Sequence, residues 1–171
     1  MTRTGPTPDP SLSVAKPALR ALREGLVLLG FGVLTVAMTW PWAAMIRDGV
    51  PDPGDPYLNA WILWWDWHAT FTNPLGLFLA NVFFPYGWSL AFSEHNYGLA
   101  LPLFPLFFLG APPLTVHSVA MLLGYLLSGY GAFRLARTMT GSTGAAWVAG
   151  IAFAFVPYRF HQISHVNYTF T

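Results

Sequence analysis

The chain has 171 residues, enough for one domain, of which 54% are hydrophobic and only 9% charged. A soluble domain has about a quarter of its residues charged, so this shortage of charge argues against a soluble protein. The net charge of +1 gives no reason to expect a nucleic acid as partner, because the basic residues flank apolar stretches and form no patch. The lack of cysteine excludes disulfides and thiolate metal sites.

Residues 25–46, 96–133 and 138–158 contain no Asp, Glu, Lys or Arg. A helix needs about 20 apolar residues to cross the hydrocarbon core of a bilayer. Most basic residues precede the first stretch or follow the second, and most acidic residues lie between the two. The positive-inside rule produces this distribution. We therefore predict a multi-pass protein of the plasma (bacterial inner) membrane, with a cytoplasmic N-terminus and an acidic outer loop.

The N-terminal part divides into a tail and a first span. Residues 1–22 begin with a segment rich in Pro, Ser and Thr and are predicted to form a disordered cytoplasmic tail. The membrane domain, residues 23–171, opens with a span over residues 23–45, with Trp40 and Trp42 in the headgroup zone. The apolar run is too long for a signal peptide and lacks a small-residue cleavage site, so we expect this helix to be retained.

The loop after the first span has two parts. Prolines at 51, 53 and 56 predict irregular backbone over residues 51–56. Residues 57–71 contain no helix breaker, and their four tryptophans beside charged and polar groups are typical of a helix lying in the membrane interface. On that helix Asn59, Ile62 and Asp66 fall along one stripe.

Three further helices follow. Residues 97–109 are too short to span and contain two prolines, so we predict a second interfacial or re-entrant helix. Residues 114–133 form a span that returns inward before Arg134 and Arg137. A third span over 143–157, rich in Ala and Gly as close helix packing in lipid requires, exits outward. If residues 97–109 crossed instead, both arginines would lie outside, which the positive-inside rule disfavours.

Several side chains on the predicted outer side could carry chemistry. Asp55 places a carboxylate near the start of the interfacial helix, although Asp beside Pro and Gly is also common turn chemistry. Glu94 and His95 precede an apolar helix and, with His161 or His165, could bind a divalent metal, or phosphate when the histidines are protonated. No metal-ligand spacing is present, and Glu94 also suits a helix N-terminus.

The C-terminal part adds a histidine pair and an arginine. His161 and His165 stand at i and i+4, which on a helix would put them on one face, as in zinc sites that also supply a third ligand. Arg159 can bind phosphate through its guanidinium fork, or can extend from a span end towards the headgroups. From the residues alone we predict a polytopic membrane protein with a polar, acidic outer site.

The order of these parts resembles the N-terminal module of the GT-C superfamily of membrane glycosyltransferases. The resemblance covers residues 20–171 and is carried by GDPYLNAWILWWDWHA (54–69), NVFFPYGWSLAFSEHNYGLALPLFPL (81–106) and FAFVPYRFHQISHVNY (153–168). It implies an all-α integral membrane fold, with about three transmembrane helices and two interfacial helices in the first outer loop. GT-C enzymes have more spans, so we expect the chain to be a fragment of a longer protein or a short reading frame.

The resemblance also implies a reaction. Such enzymes move a sugar from a polyprenyl-phosphate donor to an acceptor at the outer membrane face, and Asp55 matches the position of their catalytic carboxylate. Contacts to the substrate phosphate or to a divalent metal are implied for five further residues: Glu94, His95, Arg159, His161 and His165. The alternative is a non-catalytic membrane subunit or scaffold that binds lipid or a partner protein through its aromatic loop.

Overall fold

The computed structural model describes residues 10–170, with side chains from Ala18 onward, and every regular element in this range is helical. The all-α prediction is therefore confirmed for these residues. The first helix, α1, spans Pro10–Met38. Helix α1 thus begins within residues 1–22, the range predicted as a disordered tail, and the Ala-, Leu- and Arg-rich stretch after Pro17 favours helix and joins the apolar run. Residues 1–9 lie outside the described residues.

Two helices in the described range are long and apolar enough to cross a bilayer: Ala18–Met38 within α1, and Pro113–Thr140, which is α5. Only 11% of the apolar stretch in α1 is buried inside the protein, whereas the core helix of a soluble protein is mostly buried. Phe31 of α1 is fully buried and stacks on Trp147. This packing joins α1 to the rest of the folded chain.

The first helix ends seven residues before the predicted end of the first span. After Met38 the chain turns into a short 3-10 segment, Trp42–Ala44. Trp40 is exposed, in keeping with a headgroup position, but Trp42 is buried in the main core beside Leu63. The indole N–H of Trp42 reaches the carbonyl of Gly49 at 3.3 Å. The headgroup position predicted for Trp42 is wrong, because the turn after α1 places this ring in the main core.

Both predicted interfacial helices exist as helices. The first is α2, Asp55–Thr72. The second is a broken helix made of α3 (Tyr97–Ala100), a 3-10 turn (Leu101–Leu103) and α4 (Phe104–Phe108). These twelve residues are classed as a shorter apolar helix and not as a candidate span. Leu63 of α2 joins residues of α4 and α5 in the main core. The location of these helices at a membrane interface stays a prediction.

The predicted third span is only partly confirmed. Helix α6 covers Thr143–Ala154, begins at an N-cap where Ser142 accepts the amide of Ala145, and has twelve residues. At about 1.5 Å per residue it is roughly 18 Å long, short of the roughly 30 Å hydrocarbon core. Pro157 starts the next helix, α7 (Pro157–His161). A residue before proline favours extended backbone, so α6 ends before Val156. With twelve residues, the helix is too short to be a span by itself.

The long helices pack closely through glycines. Phe31 of α1 fits between Gly129 of α5 and Gly150 of α6, where an added Cβ on Gly129 would lie 2.6 Å from its ring. Nearer the start of α1, Glu24 contacts Arg134 near the end of α5. The two helices are therefore antiparallel. We call the end where α1 finishes and α5 begins the loop end, and the opposite end the arginine end.

Candidate functional site

A polar stripe along α2 faces the protein interior at the loop end. Asn59 and Asp66 are buried together with Ile62, so the stripe predicted from helical spacing is confirmed. Asp55 lies one turn before Asn59 on the same face, because residues four apart on a helix are neighbours. Two segments meet this stripe: residues 93–97 and the return segment, which we define as residues 155–170.

The return segment is tied to the start of α2 by polar contacts. His165 Nε2 lies 2.9 Å from Asp55 Oδ2, and Ser164 Oγ donates to Asp52 Oδ2 at 2.5 Å. The Asp55 side chain is 55% exposed, which leaves one face of the carboxylate open to a ligand. His161 ends α7 and is exposed, while His165 lies beyond the helix. The histidine pair thus shares no helical face, since the helix stops at the first of them.

The other segment brings His95 to the stripe. Asn96 Nδ2 donates to Asn59 Oδ1 at 3.2 Å, and His95 Nε2 lies 2.9 Å from Asp66 Oδ1. The His95 contact is close but is not aligned as a hydrogen bond, and both carboxylate oxygens of Asp66 lack an aligned donor among the described residues. His95 was predicted from sequence as a site residue. It lies against Asp66, whose carboxylate was not among the predicted site residues.

Burial changes the protonation of this pair. It raises the pKa of Asp66 to about 7 and lowers the pKa of His95, because removal from water disfavours the charged form of each group. Both shifts favour the neutral pair, in which Asp66 keeps its proton beside a neutral imidazole. Such a pair can hold or pass on one proton near neutral pH. The signal that could have identified Asp66 was its place on the stripe with Asn59.

A cavity of about 450 Å³ opens beside this pair. His95, Asn96 and Asn167 form its polar side, and Leu99 and Phe170 belong to its apolar side. The Asn167 side-chain oxygen is buried without a hydrogen-bond partner among the described residues, and Asn167 lines the cavity. A lining of this kind suits a molecule with a polar head and an apolar tail.

Arg159 lies apart from the other predicted site residues. Its Nη1 donates to Ser128 Oγ at 2.8 Å and to the Thr169 carbonyl at 3.1 Å. Its guanidinium lies 4.7 Å from the centre of the Phe153 ring, and no carboxylate pairs with it among the described residues. It therefore fastens the return segment to the middle of α5. Its predicted contact with a substrate phosphate stays a prediction.

Glu94 stays isolated. Its side chain is exposed and forms no hydrogen bond or ion pair with the described residues. No group of three or more His, Asp or Glu side chains able to hold a metal ion lies within the described part of the chain. The divalent metal suggested at Glu94 and His95 therefore remains a prediction from sequence.

Comparison of the chain with protein-family models, curated proteins and solved structures finds no match. The GT-C resemblance thus remains a prediction carried by residues 54–69, 81–106 and 153–168. Any function has to be argued from the site itself, where the first and last of these stretches meet through Asp55 and His165.

Proposed function

We propose that the chain is a GT-C-type membrane glycosyltransferase, or the N-terminal part of one. It would transfer a sugar from a polyprenyl-phosphate donor to an acceptor at the outer face of the plasma membrane. The observation that carries this proposal is the Asp55–His165 pair, a half-open carboxylate held by an imidazole 2.9 Å away. The amphipathic cavity at His95 and Asn167 supports it.

The chemistry assigned to Asp55 is that of a general base. The acceptor hydroxyl attacks the anomeric carbon of the donor, and a new C–O bond forms with inversion. The C–O bond to the phosphate breaks, its electron pair leaves with the polyprenyl phosphate, and Asp55 takes the hydroxyl proton. His165 acts as a positioning residue, because its contact with one carboxylate oxygen directs the other towards the acceptor.

The donor is assigned to the cavity between α3 and the return segment. Its polar side at His95, Asn96 and Asn167 suits the sugar phosphate, and its apolar side at Leu99 suits the isoprenoid. In the same proposal the arginine end faces the cytoplasm and the loop end faces outward, because positive charge is retained on the cytoplasmic side.

The test is the substitution Asp55→Asn in the complete protein. We expect sugar transfer from radiolabelled polyprenyl-phosphate sugars to fall about 100- to 10,000-fold, the usual contribution of a general base, with unchanged membrane content. The matched control is Asp48→Asn, an exposed carboxylate of the same loop that forms no side-chain hydrogen bond or ion pair with the described residues. Transfer retained by the Asp55 variant would remove this carboxylate from the mechanism.

A second candidate function is a non-catalytic scaffold, and one observation favours it. The loop between α2 and α3 exposes large aromatic side chains, with Phe84 95% and Phe92 90% accessible. Phe83 and Trp88 have positive φ angles of 60°, a left-handed conformation that bulky residues seldom adopt. Such a surface is typical of a lipid- or protein-binding site.

The two functions give opposite results in one comparison. A scaffold tolerates Asp55→Asn but loses its lipid or protein contacts, measured by photocrosslinking from position 84, when Phe92 is replaced by Ser. A transferase with Phe92→Ser keeps its catalytic residues and a measurable turnover, and with Asp55→Asn it loses transfer.

A further inference from the structure

A second cavity lies at the arginine end, far along α1 and α5 from the site described above. Its volume is about 680 Å³, and it lies between the first half of α1 and the last turns of α5. Four of its lining residues are arginines: Arg20, Arg23, Arg134 and Arg137. In the sequence these residues flank two separate apolar stretches. The antiparallel packing of α1 on α5 gathers them into one basic patch, so the expectation that the basic residues form no patch is wrong.

Most of this positive charge is uncompensated. Arg134 forms an ion pair with Glu24 at 3.2 Å, and Tyr130 bridges the two by donating to Glu24 at 2.8 Å and accepting from Arg134 at 3.0 Å. Arg23 and Arg137 have no hydrogen-bond or ion-pair partner among the described side chains, and neither does Arg20. A cavity with one carboxylate and four guanidinium groups favours an anion.

The cavity is apolar on the side towards the middle of the helices. Leu26 and Val27 follow Arg23 by about one turn of α1, and Phe133 precedes Arg137 by one turn of α5. The charged rim and apolar floor therefore match a molecule with an anionic head and hydrocarbon chains. A soluble phosphate would contact only the arginines of the rim and would leave the apolar side chains of the floor exposed to solvent.

We propose that this cavity binds one anionic phospholipid of the cytoplasmic leaflet, with its phosphate at Arg23 and Arg137 and an acyl chain over Leu26 and Phe133. Basic pockets between transmembrane helices on the cytoplasmic side are typical sites for such headgroups. The proposal requires α1 and α5 to cross a bilayer. It does not depend on sugar transfer, and its test needs no enzymatic readout.

The experiment measures lipid binding to the purified chain in mixed micelles by native mass spectrometry. We expect bound phosphatidylglycerol and no comparable binding of phosphatidylcholine. In the double variant Arg23→Gln, Arg137→Gln we expect about thirtyfold weaker binding of phosphatidylglycerol, since each arginine near a lipid surface contributes about one factor of five. These two arginines lack side-chain partners, so their replacement removes no contact of the fold.

The matched control is Arg47→Gln, which removes the same charge from an exposed arginine outside this cavity, after the end of α1. It should bind phosphatidylglycerol like the unmodified chain. Equal affinity in the double variant, or equal binding of phosphatidylcholine, would overturn the site. Competition by millimolar inorganic phosphate that displaces the lipid completely would overturn the lipid as occupant and leave a soluble anion in its place.

Discussion

The two ends of the molecule use their ionic groups in different ways. At the loop end, Asp55 pairs with His165 and Asp66 with His95, and Asp66 is fully buried. At the arginine end, Arg23 and its neighbours line an open cavity with a single carboxylate among them. Paired groups fix the geometry that a reaction needs, whereas unpaired charge attracts an anion that is free to exchange. In our proposals the first end carries the reaction and the second binds lipid.

The largest effect is expected from labelling the two ends in cells. The chain has no cysteine, so single cysteines at Glu94 and Thr138 report only their own positions. Both side chains are exposed. We expect Glu94→Cys to react with a membrane-impermeant maleimide in intact cells, and Thr138→Cys to react only after permeabilisation.

This labelling also decides whether the ends are on opposite sides of a membrane. Reaction of both cysteines from outside would contradict the orientation of α5. Reaction of neither in intact cells, with both reacting in lysate, would place the loop end inside. Either result would contradict both the proposed transferase and the proposed lipid site.

The next largest effect concerns the pH dependence of stability at the loop end. Burial raises the pKa of Asp66 to about 7 in the folded protein, whereas its pKa in the unfolded chain is near the ordinary value of 3.8. Between these values the folded state binds more protons, so the free energy of unfolding falls as pH rises. A difference of about three pKa units corresponds to on the order of 4 kcal/mol. We expect Asp66→Asn to abolish this fall, measured by denaturant unfolding in detergent from about pH 4 to about pH 8.

His95 acts in the opposite direction. Its pKa is lowered from 6.5, so the unfolded state binds more protons just below that value and the free energy of unfolding rises with pH there. The two terms oppose each other just below pH 6.5, so the net fall in the free energy of unfolding is smaller there than the fall due to Asp66 alone. The control Asp48→Asn should keep the fall, because that carboxylate is exposed. An unchanged pH profile in Asp66→Asn would show that its carboxyl ionises normally.

The sequence could predict the features of the fold that depend on the local residue pattern. The uninterrupted run after Pro56 predicted α2, and helical spacing predicted that Asn59, Ile62 and Asp66 lie along one stripe, which the structure shows to be buried. The charge-free stretch before Arg134 predicted the second candidate span, although the helix continues to Thr140 because no breaker precedes Gly141. These features follow from neighbours three or four residues apart, which a single sequence records directly.

What it could not predict depends on contacts between distant segments. Nothing near Asp66 in the chain indicates that His95 will lie beside it, and the i, i+4 spacing of His161 and His165 indicated a shared helical face that α7 is too short to provide. The position of Trp42 is of the same kind, since an aromatic ring near a span end fits a headgroup zone and a core equally well. Tertiary packing decided each of these.

An intermediate effect is expected where the return segment rests on α5. A Cβ added to Gly124 would lie 2.5 Å from Thr169 Oγ1, so Gly124→Ala must displace the turn that Arg159 holds. We expect a loss of about 1–3 kcal/mol in the free energy of unfolding, as for other overpacked cores. The control is Gly131→Ala in the same helix, where no atom lies within 4 Å of the added Cβ. That change should be neutral or stabilising by up to about 1 kcal/mol, because alanine favours helix.

The smallest effect on stability is expected at the arginine end. This prediction best separates charge that holds the helices together from charge that binds an anion. Glu24→Gln breaks a surface ion pair with Arg134, which contributes little to the free energy of unfolding because both groups are largely solvated. The same change removes the one carboxylate among the described residues that line the arginine cavity. Binding of phosphatidylglycerol should therefore strengthen several-fold while thermal stability in phosphatidylcholine falls slightly. If Glu24 served only to hold α1 against α5, both quantities would fall together, because a loosened helix pair would also open the lipid site.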